Sequence, residues 1–193
     1  MPQFTTRRLS TPVAFLALSV ALTLPAAVRA QDVFDAKTAE HIRISYLNDL
    51  DTLHAKITAL AKAIPEDKYS WRPAPGTRSV SEALMHVVSE FYFYGPRSIG
   101  GNPPADFGVP KEAIPALEKV TGKAQVIAAL DKSWAHTKSE FAKKSAADLT
   151  GKIKPWNLPL DEAMLAMTDD LHEHLGQMIV YARSVGVKPP WTK

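Results

Sequence analysis

Prolines and glycines cut residues 31–193 into four long stretches, and within each stretch apolar side chains recur at three- and four-residue steps. That spacing follows the 3.6-residue helical turn and predicts amphipathic helices. No window shows sustained two-residue alternation, so no strand is expected. The first helix runs from about Asp35 to Ile64, with Leu47, Leu50, Ile57, Ala61 and Ile64 along one side and Pro65 ending it. Ser79 followed by Glu82 has the spacing of a capping box and starts a second helix that continues to about Arg97. A third covers Lys123 to Lys144, with Val126, Leu130, Trp134 and Phe141 sharing a face. Pro159 suits the first turn of a fourth, and Asp161 and Glu162 favour its positive end. It continues to Val185, where Gly186 suits the terminating position and Pro189-Pro190 forbids extension. Four such helices predict an all-α fold, a four-helix bundle. Residues 100–122 form a long crossover-type loop, with one helical turn expected at 111–120. The segment GKIKPWNLP, residues 151–159, is a second loop.

The first thirty residues read differently. Arg7 and Arg8 precede the apolar run PVAFLALSVALTL (12–24), which is too short to span a bilayer as a stable helix. Val28-Arg29-Ala30 places small residues where a signal peptidase needs them. Residues 1–30 are therefore expected to be a secretory signal peptide, and residues 31–193 the mature domain, exported to the periplasm or secreted. An uncleaved anchor is the alternative. The Arg7-Arg8 pair also leaves twin-arginine export open beside the general route, although Ser10 stands where such signals usually carry Phe.

Setting the leader aside changes the charge argument. It holds three of the 23 basic residues and none of the 20 acidic ones, so residues 31–193 carry equal numbers of each. Nothing electrostatic favours nucleic acid or, once the leader is cleaved, a membrane surface. There is no cysteine. That excludes thiolate nucleophiles, thiolate zinc sites and iron–sulfur clusters, and confines any metal to His, carboxylate, amide or water ligands.

The fourth helix contains DDLHEHLGQM (169–178). Its apolar stripe is Met164, Met167, Leu171, Leu175, Met178, Ala182 and Val185. Beside it runs a polar line, Asp170, His174, Gln177 and Tyr181, stepping by four, three and four. Residues two apart on a helix point about 200° apart, so His172 and His174 cannot hold one ion, whereas Asp170 and His174 can. His172 reads as a surface or helix-interface histidine. On the second helix His86 and Glu90 are also four apart. The strongest apolar stripe there is Val80, Leu84, Val87, Val88 and Phe91, and periodicity alone leaves His86 exposed. His54 falls on the apolar stripe of the first helix and reads as a core histidine, or as a further ligand or proton shuttle. His41 and His136 lie off the stripes and are expected in solvent.

The stretches YSWRPAPGTRSVSEALMHVVSE and HEHLGQMIVYARSVGVKPPW resemble the DinB-like superfamily of four-helix bundles, in particular its exported members. The resemblance spans about Ala36 to Trp191. It implies a divalent metal, zinc or nickel, on three side chains. One is a histidine on the second helix, matching His86. Two more stand at i and i+4 on the fourth, the latter just before a Gly-Gln pair. Gly176-Gln177 puts that ligand at His174 and the other at Asp170, where the family usually has histidine. Aspartate beside two histidines can serve a divalent ion, or can mark a weaker, different or lost site. Glu90 stands where related sequences often carry an amide. The resemblance turns His86 inward, against its periodicity.

Characterised relatives include thiol-cofactor S-transferases and a mycothiol-dependent isomerase, in which a metal lowers the pKa of a bound thiol or water. The expected role is thus an exported metal-binding protein, a metal-dependent hydrolase or transferase acting on a small molecule. Glu90 or Gln177 would orient water or substrate, and Tyr181 would donate a hydrogen bond. A non-catalytic binding module, or a bundle with a degenerate site acting through its surface or as a homodimer, are the alternatives. Trp71 and Trp156 are expected to cover the bundle ends and Trp191 to pack the tail back. The methionines of the fourth helix are expected in the core. Phe91 to Tyr94 cannot all face one way, which leaves a pocket rim or a dimer interface open.

Overall fold

The chain folds as the apolar spacing predicts, with the helix ends set by local caps. The computed structural model describes residues 34–154 and 156–192. The expected leader lies outside the described residues. Helix α1 spans Ala36–Ala63, and the Asp35 carboxylate accepts the Thr38 amide at 2.9 Å to cap it. Helix α2 spans Val80–Ser89 and starts with the expected capping box between Ser79 and Glu82. After a π-turn at Glu90–Tyr94, α3 (Gly95–Ser98) continues the same rod. Helix α4 is Pro110–Leu117, within the crossover connection. Helices α5 (Lys123–Ala142) and α6 (Leu160–Ser184) complete the bundle. Gly186 ends α6 at φ +82, and the Val187 and Gly186 amides bond back to the Ala182 and Arg183 carbonyls at 2.8 and 3.0 Å. That is the Schellman closure that a glycine at this position permits.

Helix α1 packs on α5 and α6, and α2 packs on the same two partners from the other side. The shared interior holds Leu50, Leu53, Ile57 and Leu60 from α1, Leu84 and Met85 from α2, Leu130 from α5 and Met164 and Met178 from α6, all fully buried. Each such side chain contributes about 1.5–3 kcal/mol relative to exposure. Lys123, which opens α5, donates from Nζ to the Lys62 and Ile64 carbonyls at 2.7 Å. It thereby satisfies free acceptors at the negative end of α1 and ties two helices together. Among the described residues no helix is long and apolar enough to cross a membrane.

Two features depart from the sequence expectation. The second loop contains a minimal antiparallel hairpin, β1 (Lys152–Ile153) paired with β2 (Leu158–Pro159). Two residues per strand are too few for any alternation to show in the sequence. The hairpin loop also caps α6: the Leu160 and Asp161 amides donate to the Gly151 and Leu149 carbonyls at 3.0 and 2.9 Å. The second departure is the π-turn. Pro96 has no N–H to donate and its ring crowds the preceding turn, so a regular α-helix cannot run through it. The Gly95 amide reaches back to the Glu90 carbonyl. This leaves the Phe91 carbonyl without its usual partner, and the buried Thr137 hydroxyl of α5 donates to it.

Candidate metal centre

Helix α2 is buried around nearly its whole circumference, Val80, Ser81, Ala83, Leu84, Met85, Val87, Val88 and Ser89 all lying inside. A helix covered on all sides has no solvent face, so the position of His86 beside the apolar stripe does not make it exposed. His86 is in fact largely covered, its side chain retaining 19% exposure. It turns toward α6, where its ring meets the ring of His174 edge to face at a centroid distance of 5.0 Å. Glu90, one turn after His86 and still in helical register with it, brings Oε1 to 3.3 Å from His86 Nε2. One donor atom each from His86, Glu90 and His174 lies within 4.8 Å of the others.

Asp170 approaches from the turn before His174, with Oδ2 3.7 Å from His174 Nε2 and the side chain about half exposed. The sequence reading grouped His86, Asp170 and His174 and assigned Glu90 to water or substrate. The structure sets Glu90 among the clustered donors and Asp170 at the open edge beside them. Both carboxylates line one cavity. Glu118, at the end of α4, also reaches the centre: its Oε1 is 3.6 Å from His86 Nδ1 and 3.0 Å from Arg78 Nε. Nothing in local periodicity marks Glu118. The signal was the length of the connection, which brings α4 onto α2.

Gln177 and Tyr181 continue the polar line of α6 as expected, but they face a second, polar cavity with Arg72, Arg78, Glu82 and Glu118. The Tyr181 hydroxyl donates to the Arg78 carbonyl at 3.0 Å and lies 3.4 Å from Gln177 Nε2. Its proton is committed to holding the Arg78 backbone. Trp71 stacks on Tyr181 edge to face at 5.6 Å and closes that end of the bundle.

The electrostatics follow from burial. Loss of water, with smaller contributions from Arg78 and His174, pushes His86 down to about 4. The ring is therefore neutral near pH 7, the form that coordinates metals. Burial, reinforced by Asp170 and partly offset by Arg78, pushes the Glu90 carboxyl up to about 8. A buried carboxyl held up in this way would regain its charge beside a cation. His86 Nδ1 is moreover buried with no hydrogen-bond partner. Two imidazoles and a carboxylate within 4.8 Å form a donor set of the kind that holds a divalent ion. The residues fit a metal.

The other histidines sort as follows. His172 lies on the far side of α6, exposed, with Nε2 3.0 Å from Asp49 Oδ2. His54 is a satisfied interior histidine: Nε2 lies 3.2 Å from both Thr58 Oγ1 and Asp131 Oδ1, and the ring stacks on Trp134 at 5.5 Å. His41 is exposed. His136, expected in solvent, is partly covered, with Nε2 2.8 Å from the Asn102 carbonyl. The crossover connection folds back over α5 and shields it. Of the aromatic run, Phe91 and Tyr92 are buried, Phe93 stacks on Phe107 at 5.8 Å, and Tyr94 remains 43% exposed on the cavity beside Glu90. Met164, Met167 and Met178 are buried, as expected. Trp156, expected to cover a bundle end, is 56% exposed and lines that same cavity. Trp191 lies against α1, with Lys56 Nζ 5.8 Å from its ring centre.

Comparison with known proteins gives a family match and matches among solved structures. The family model described as the DinB superfamily matches residues 49–178. A crystal structure of a DinB-like protein from Bacillus cereus ATCC 10987 superposes with a TM-score of 0.57 at 17% identity, covering 78% of this chain and 97% of that one. No curated protein matches the chain.

Proposed function

The chain belongs to the DinB superfamily, and from that premise we propose that it is an exported metal-dependent enzyme, a hydrolase or transferase acting on a small molecule at the centre between α2 and α6. The observation that carries this reading is the convergence of one donor atom each from His86, Glu90 and His174 within 4.8 Å of one another, with Glu90 Oε1 3.3 Å from His86 Nε2. These three side chains would hold a divalent ion, and the family resemblance favours zinc or nickel. When bound, the ion supplies Lewis acidity toward a water, thiol or carbonyl oxygen.

The remaining work falls to this chain's own groups. Asp170, half exposed at the cavity edge, is placed to orient a water or substrate hydroxyl or thiol and to accept its proton. Asp170 lies 3.7 Å from His174 Nε2, and Glu118 lies 3.6 Å from His86 Nδ1, so each imidazole has a carboxylate close by. Tyr181 holds the Arg78 backbone, with Gln177 Nε2 3.4 Å from the Tyr181 hydroxyl, and Arg78 in turn positions Glu118. Export rests on the features of residues 1–30: the Arg7-Arg8 pair, the short apolar run and the Val28-Arg29-Ala30 site.

The test is metal content of untagged protein. Near one equivalent is expected. His174→Ala and His86→Ala should each abolish it, and His172→Ala should leave it intact. Loss of metal in His172→Ala with retention in His174→Ala would sink the assignment. Hydrolysis and thiol-transfer screens on the metal-loaded protein then separate an enzyme from a binding module.

A further inference from the structure

The reading above leaves the substrate open, and the cavity beside Glu90 and Asp170 narrows it. This cavity has a volume of about 220 Å³. Its wall is built from three separate elements: Tyr94 from the π-turn, Trp156 and Leu158 from the hairpin, and Ala166 and Met167 from α6. Tyr94, Trp156 and Leu158 remain 43%, 56% and 39% exposed, so three large apolar side chains converge on one opening without covering one another. Such a convergence of exposed apolar surface marks a binding surface more often than chance exposure.

Charge decides what the cavity excludes. Among the described residues Glu90 and Asp170 are its only charged lining residues, and no Lys, Arg or His lines it. The Ser98 hydroxyl already donates to the Gly95 carbonyl at 2.8 Å, so it is not a free donor. In the metal-free protein an anionic substituent would meet no cationic side chain among the described residues, two carboxyl groups, and the electron-rich faces of Tyr94 and Trp156. An apolar cavity of about 150 Å³ accommodates a benzene ring. A volume of about 220 Å³, open to solvent, has room for one ring with a small substituent.

We propose that this cavity is the substrate-body subsite of the centre, and that it selects small uncharged molecules carrying a single aromatic or branched aliphatic group. The reacting bond then lies toward Glu90 and Asp170, where cavity and donor cluster meet. The proposal rests on the metal-dependent reading only for where the reaction takes place. Recognition of the apolar body depends on the cavity wall alone.

The experiment uses that independence. Binding of p-cresol and of 4-methylbenzoate to metal-stripped protein is measured by ligand-observed NMR, with zinc stoichiometry determined on the same preparation. p-Cresol should bind at least about tenfold more tightly than 4-methylbenzoate, since shape is shared and only the charge differs. Ala166→Phe places a ring in the cavity from an exposed position and should weaken p-cresol by about tenfold, a loss of about 1.4 kcal/mol. Trp156→Ala, at a solvent-exposed side chain, is the second variant and should weaken it too. Equal affinity for the two probes, or p-cresol binding unchanged in both variants, overturns the proposal. Cresol binding without zinc uptake would reject the metal centre and leave the subsite standing. Zinc uptake without cresol binding would do the reverse.

Discussion

Thr137→Val tests whether the π-turn beside the centre is held from outside its own helix. The wild-type hydroxyl, buried on α5, donates to the Phe91 carbonyl. That acceptor has lost its helical partner because the Gly95 amide goes to Glu90 and Pro96 has no N–H. Valine keeps the side-chain shape and removes the donor, so no cavity forms and the cost is that of a buried, unpaired carbonyl, about 1–3 kcal/mol. For a domain of this size about 2 kcal/mol corresponds to a fall in Tm of about 4–8 °C. Thr168→Val is the internal control. Thr168 is equally buried, but its hydroxyl donates to the Leu165 carbonyl at 2.9 Å within the same regular helix. That acceptor keeps its backbone partner, so the loss should stay within about 0.5 kcal/mol. Urea denaturation of the two variants at one pH measures both values. If Thr137→Val costs no more than Thr168→Val, the π-turn does not depend on α5 and the reasoning fails.

Three further outcomes are expected. Glu90→Gln replaces a carboxyl whose burial holds it up to about 8, so the metal-free variant should be more stable than wild type at pH 7.5 by about 1–3 kcal/mol. Saturating zinc should reverse that order, and thermal melts with and without zinc decide it. His54 has its pKa lowered by burial and by Lys62, against the opposing pull of Asp131 and Asp51. Its unfolded form therefore takes a proton first as pH falls below its ordinary value near 6.5. The protein should lose stability from about pH 6.5 downward, and His54→Gln should lose less over the same interval in denaturant titrations at stepped pH. Gly95→Ala brings a Cβ to 2.8 Å from Met167 Sδ and 3.0 Å from the Glu90 carbonyl. The sulfur can swing aside but the carbonyl cannot, so a loss of about 1–3 kcal/mol is expected, and an unchanged denaturation midpoint would show that the turn relaxes.

Much of the fold was legible because its determinants are local. The capping box at Ser79 and Glu82, the Gly186 terminator and the apolar stripes of α1, α5 and α6 all appear where the spacing put them. The two i,i+4 pairs of the centre, His86 with Glu90 and Asp170 with His174, were also legible, since one helical turn fixes each. The π-turn was not, although Pro96 was in view. A proline inside a helical pattern announces a break but not its form, and the form here depends on Thr137 from another helix.

The sequence by itself determined which residues share a helix face, because intrahelical geometry repeats with a fixed period. It also separated His172 from His174, and the structure keeps them on opposite sides of α6. Only the tertiary structure decided how far each pair reaches into the centre. Packing of α2 between α5, α6 and α4 buried His86 against its apparent periodicity and carried Glu90 into the donor cluster. The same packing left Asp170 at the cavity edge and brought Glu118 in from a distant segment. Rotation and depth of one helix against another arise from the summed fit of many side chains, and no short stretch of sequence encodes that sum.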